Sequence, residues 1–174
     1  FGDLDAAERE LDAALARAAD FEEAIVARAE LELERGDARA ALSRIEPRYG
    51  PQAAAPVAIV YAAAKRVTRQ FDAARESLAR FKDGPAGPLA GRAWLELART
   101  ERDAGELALA RAAYGKAAEM LPASRTVRLE SAVLLVDDGD AAGGRDALVG
   151  LAADARDDGA IQLEVARAQI LTRE

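Results

Sequence analysis

Apolar residues recur at i, i+3, i+4 and i+7 along most of the chain, the spacing that puts them on one face of an α-helix. Turn-forming residues interrupt the pattern at regular intervals, and together they predict ten amphipathic helices. Five cover 21–35, 56–68, 91–103, 125–138 and 159–172; five more cover 4–18, 38–45, 72–81, 106–120 and 141–155. The prolines agree independently, because Pro47, Pro51, Pro56, Pro85, Pro88 and Pro122 all fall in connections or first helical turns. A proline inside a helix would cost about 3 kcal/mol. Runs of β-branched and aromatic residues are missing, as are Asn-Gly hairpin signals, so nothing predicts a sheet.

The interruptions are themselves periodic. Related segments start at Gly2-Asp3, Gly36-Asp37, Arg69-Gln70, Gly105-Glu106 and Gly139-Asp140, with steps of 34, 33, 36 and 34 residues. Small residues keep the same phase. Ala29, Ala62, Ala98, Ala132 and Ala166 recur in the helix before each turn, and Ala7, Ala41, Ala74, Ala110 and Gly144 in the helix after it. Small side chains at such positions let two helices of a hairpin cross closely.

The sharpest copy carries Trp94, Leu97, Ala98, Gly105, Ala110, Tyr114, Ala117 and Pro122. In residue types and spacing it resembles the tetratricopeptide repeat, a helix-turn-helix unit of about 34 residues. One departure is Glu101, where the family pattern has an aromatic. The resemblance implies an all-α fold, a right-handed superhelical solenoid of antiparallel helix pairs with about five repeats, incomplete at both ends. The chain then reads as a single repeat domain, 1–174, with segments 1–20 (half), 21–54, 55–90, 91–124, 125–158 and 159–174 (half). The helices at 21–35, 56–68, 91–103, 125–138 and 159–172 become the first helices of their repeats, and the others second helices.

Two connections are unusual: 46–55, with Pro47, Gly50 and Pro51, and 82–90, with Gly84, Pro85, Gly87 and Pro88. They read either as tolerated surface variation or as loops that touch a partner. The helix at 141–155 holds Gly143, Gly144 and Gly150, each costing roughly 1 kcal/mol against alanine, and is expected to be the loosest. The register begins at the turn of a repeat and stops after a first helix. A repeat array usually ends in a polar cap. The last helix instead carries Ile161, Leu163, Val165, Ile170 and Leu171, so the chain is expected to be a segment of a longer array, unless that helix serves as an imperfect cap.

Composition narrows the chemistry. The 174 residues are 51% hydrophobic and 32% charged, which suits a folded and well-solvated protein. A net charge of −7 argues against nucleic acid as a partner. Histidine and cysteine are both absent, which removes most zinc, thiol and Ser-His-Asp chemistry. No pair of acidic residues has a spacing that implies acid-base work, and Gly84-Pro85-Ala86-Gly87 lacks the Lys-Ser/Thr that completes a phosphate loop. The chain is therefore expected not to be an enzyme and to use no cofactor or metal. No stretch approaches the roughly 20 apolar residues of a membrane span. Three lysines against many arginines and alanines suggest a GC-rich bacterial source. The compartment stays open, with the periplasm or cell envelope favoured.

The resemblance also implies a binding groove lined by the first helices. Its fifth positions would be Val26, Ile59, Leu95, Leu129 and Leu163, an apolar ladder. The ninth would be Glu30, Ala63, Arg99, Val133 and Arg167, and the twelfth Leu33, Arg66, Arg102, Val136 and Ile170. Arg66, Arg99 and Arg102, with Arg92 nearby, would form a patch for a carboxylate. The partner implied is another protein, offering a peptide or helix with apolar anchors and an acidic group. Equally, the ladder could pack between adjacent helices and the arginines could pair with Glu96, Asp103 or Glu130. Absence of asparagine speaks against the family's clamp for C-terminal carboxylates. The alternative function is a structural spacer in a bacterial envelope export or assembly machine, such as polysaccharide secretion or outer-membrane assembly. A helical-repeat RNA binder is opposed by the charge, and self-association through uncapped ends is a further option.

Overall fold

The computed structural model describes residues 4–82, 87–154 and 158–172. The repeat start at Gly2, residues 83–86 of the 82–90 connection, including Gly84 and Pro85, and Ala155 lie outside these residues. The described residues form ten α-helices and no strands: α1 Leu4–Arg17, α2 Glu22–Glu34, α3 Ala38–Ile45, α4 Ala55–Val67, α5 Phe71–Lys82, α6 Pro88–Ala104, α7 Leu107–Met120, α8 Arg125–Asp137, α9 Ala141–Asp154 and α10 Gly159–Leu171. A 3-10 turn, Glu46–Arg48, follows α3. The bounds match the sequence expectation to within a residue or two, except that α6 begins at Pro88. Proline is at home there, since its missing N–H has no partner in the first turn anyway. None of the described helices is long and apolar enough to cross a membrane.

The helices gather into two compact units, Phe1–Gly84 and Pro85–Glu174. In the first, α1 packs on α2, α2 pairs with α3, α3 and α2 both meet α4, and α4 pairs with α5. Its core gathers Ile25, Val26, Ala29, Ala41, Ile45, Val57 and Val60. In the second, each helix packs on the next from α6 to α10, and α8 also meets α10. One core joins Ala98, Ala110, Ala113, Tyr114 and Leu134; another joins Ala132, Val136, Leu148, Leu151, Ile161 and Val165.

The in-phase small residues do what the pattern predicts. Ala29, Ala41, Ala62, Ala74, Ala98, Ala110 and Ala132 are all buried, where helices of a pair cross. Gly144 shows why one position needs glycine: an added Cβ would lie 2.5 Å from Val136 Cγ2 and 2.9 Å from the Ala132 carbonyl oxygen. Ala7 on α1 and Ala166 on α10 differ and are exposed, since no described helix covers those positions.

The turns after α2, α4, α6 and α8 share one design. The third residue past α2, α4 and α8, and the second past α6, donates its N–H to a carbonyl five residues back: Asp37 to Glu32 and Gln70 to Lys65 at 2.8 Å, Glu106 to Glu101 and Asp140 to Leu135 at 2.9 Å. This closure needs a left-handed residue, supplied by Gly36, Arg69, Gly105 and Gly139. Side-chain caps start the following helices: Asp37 Oδ1 accepts from the Ala40 N–H at 2.9 Å, and Asp140 Oδ1 from the Gly143 N–H at 2.9 Å.

Candidate functional site

The five ladder residues occupy very different surroundings. Val26 on α2 and Ile59 on α4 are 7% and 6% exposed, Val26 within the core of the first unit, so both offer a ligand little surface. Leu95 on α6 and Leu129 and Val133 on α8 are half-buried, each leaning on a core of the second unit. Leu163 on α10 is 68% exposed, as is Ile170 about two turns further on. Among the described ladder residues, Leu163 is thus the one fully open to solvent, with Ile170 on the same face of α10 and with Leu129 and Val133 half-open on α8.

The predicted cations are equally uneven. Arg66 lies on α4, half-buried, while Arg92, Arg99 and Arg102 lie on α6. Arg99 meets Glu130 of α8 side-on, with Nη2–Oε1 at 2.6 Å and Nε–Oε2 at 2.9 Å, and reaches Glu96 at 3.4 Å. The Tyr114 hydroxyl donates to Glu130 Oε2 at 2.9 Å and accepts from Arg102 Nη1 at 3.4 Å. Arg102 also meets Asp103 at 3.5 Å. Burial by itself would push the Glu130 carboxyl up. The hydrogen bonds and charge of Arg99, joined by the Tyr114 hydroxyl, outweigh it and hold Glu130 below the ordinary 4.5. Burial works against the Arg99 charge as well, yet Glu130 leaves that guanidinium more firmly protonated than usual. Tyr114 is pushed up, by burial first and then by the Glu130 charge. The network ties α6, α7 and α8 together and already satisfies much of the donor capacity of Arg99.

On α10, Arg167 pairs with Asp137 at 2.6 Å and Glu164 at 3.3 Å. Glu30 on α2 is half-buried and Arg92 is exposed, and both are engaged with other groups. The repeat pattern assigns no role to the Tyr114 hydroxyl. The signal was available, since an aromatic at a core position with a polar tip needs a buried partner.

A second concave feature lies on the other side of α8. A cavity of about 500 Å³ is lined by Ala118 of α7, by Arg128, Ser131, Ala132 and Leu135 of α8, and by Ala147, Gly150 and Leu151 of α9. Ala132 and Leu151 are buried and form its floor; Arg128 is exposed at the rim. Among the described arginines of the second unit, Arg128 is the one whose side chain makes neither an ion pair nor a hydrogen bond.

No protein-family model matches the sequence, and no curated protein is significantly similar to it. A solved structure is similar: that of a thermophilic TPR protein from Thermus thermophilus, with a TM-score of 0.79 at 20% sequence identity. The match covers 97% of this chain and 92% of that one. Such identity speaks for architecture alone, and the architecture agrees with the helix pairs, in-phase alanines and shared turns described above. The chain has the tetratricopeptide-repeat fold.

Proposed function

We propose that this protein is a non-catalytic interaction scaffold, binding a peptide or helix of a partner protein on the face formed by its first helices. The observation that carries the proposal is the strip on α10. Leu163 and Ile170, both 68% exposed, flank Arg167, and the half-buried Leu129 and Val133 of α8 extend the apolar surface. A partner helix covering such a strip would gain about 25 cal/mol per Å² of apolar area removed from water. Repeats of this type leave an extended surface rather than a closed pocket, which suits a peptide better than a small substrate. The acidic group of the partner would meet the exposed Arg92 or the outer edge of Arg102 and Arg167, because the inner face of Arg99 is already satisfied by Glu130.

The test is selection of displayed random peptides on the purified protein, followed by affinity measurement with the double variant Leu163→Asp, Ile170→Asp. Both positions are exposed, so the fold should survive, as circular dichroism would report. The proposal expects selected peptides with apolar residues at helical spacing, and binding weakened by at least about tenfold, which corresponds to roughly 1.4 kcal/mol. Peptides that bind the double variant equally well would show that this face is not used. The alternative, a structural spacer of an envelope export or assembly machine, expects no peptide to be enriched.

A further inference from the structure

The geometry points to a second docking site, separate from the first-helix face. The cavity between α7 and α9 is a slot for an aromatic side chain carried beside a carboxylate on an extended segment of a partner protein.

Two repeats relate the units: positions 70 residues apart correspond, as Ala62 does to Ala132 and Ala74 to Gly144. Under that shift Ser131 corresponds to Tyr61, Leu135 to Lys65 and Gly150 to Arg80. In the first unit this place is filled by the chain itself. Tyr49 stacks on Tyr61 with centroids 3.9 Å apart and planes 5° from parallel. Lys65 Nζ sits 5.1 Å from the Tyr61 ring. The Arg80 guanidinium donates to the carbonyls of Pro51 and Ala53, fixing the turn that follows Tyr49, itself in extended backbone. That plug exists because α3 stops at Ile45 and the chain turns back through Pro47 and Pro51.

In the second unit α7 runs on to Met120, so no segment turns back. Ser131 replaces the lower ring, Gly150 replaces the arginine, and Ala118 stands about where Tyr49 does in its repeat. The space those side chains fill in the first unit is left open, at about 500 Å³. That lies within the roughly 300–1,000 Å³ typical of clefts that bind small molecules. The walls are apolar, which suits a ring, and Ser131 offers one hydroxyl near the floor. Arg128 completes the preference. Its counterpart Ala58 is fully buried, whereas Arg128 stands at the rim with no acidic partner. On a chain of net charge −7, an unpaired guanidinium above an apolar slot selects an acidic neighbour of the ring.

The test uses the blocked tripeptide acetyl-aspartyl-tyrosyl-aspartyl-amide as probe, followed by amide NMR on the whole chain. Two controls replace the tyrosyl by alanyl and the aspartyls by lysyls. Saturable shifts are expected at Ala118, Ser131, Ala147 and Gly150, with the alanyl control silent and the lysyl control weaker. Gly150→Leu should abolish them; an added Cβ there meets nothing within 4 Å, so the helix accepts the side chain while the slot closes. Arg128→Glu, on an exposed position, should weaken binding by about fivefold or more. The proposal is overturned if the shifts fail to saturate or map elsewhere. It is equally overturned if the alanyl or lysyl peptide binds as well as the probe, or if both variants behave like the parent. Such failure leaves the first-helix face untouched, since neither variant alters α10.

Discussion

Arg69 holds a backbone conformation that its side chain opposes. It closes α4 at φ 61°, where the equivalent turns use Gly36, Gly105 and Gly139 at φ 81°, 85° and 90°. A left-handed L-residue costs roughly 1–2 kcal/mol, offset here in part by the Arg69 guanidinium lying 5.3 Å from the Phe71 ring. Arg69→Gly should therefore raise stability by about 1 kcal/mol, read as a higher denaturation midpoint. Two glycines of α9 give opposite expectations. Gly144→Ala puts a methyl against the α8 backbone and should cost about 1–3 kcal/mol, while Gly150→Ala meets nothing and should add about 1 kcal/mol. Thermal melts of the two variants decide the matter, and equal shifts would contradict the packing described. The repeat register announced that position 144 must be small. Only the approach of α8 explains why alanine, adequate at Ala41, Ala74 and Ala110, is too large there.

At the scale of helices, the polar link from α6 through α7 to α8 runs through one carboxylate. Glu130 is held below its ordinary pKa, so the stability it contributes is fully present above the unfolded value and is lost as pH falls through the folded one. Urea midpoints should thus fall more steeply for the parent than for Glu130→Gln as pH drops below 4.5. Near neutral pH the variant should be the weaker protein, by about 1–3 kcal/mol, because Arg99 and Tyr114 lose a charged partner. Identical acid profiles would mean that the network adds no stability. Helix identity and bounds were legible in the sequence because a periodic apolar stripe, turn glycines and prolines all pointed the same way. Exposure was not. Val26, Ile59 and Leu163 share a register position and a residue class, yet the first two are covered by neighbouring helices and the third is not. The slot was harder still to foresee, since it consists of missing bulk at Ala118, Ser131 and Gly150 on three separate helices.

For the molecule as a whole, the features that bear on function are surfaces rather than a reactive centre. Each unit encloses its own apolar cores, and most of the candidate cations of the second unit are tied to carboxylates of neighbouring residues or helices. Besides Arg128, much of what stays available is apolar, including Leu163, Ile170 and Leu171 on α10 and Leu109 on the second-helix side of α7. These two surfaces allow a direct comparison within one protein. A photo-crosslinking phenylalanine analogue can be placed at position 163 or 109 and irradiated in cells of the source organism. Both positions are more than half exposed, so neither substitution should disturb the core. Binding on the first-helix face predicts a discrete crosslinked partner from position 163 that is absent from position 109. No product at 163, or the same product from both positions, would contradict it.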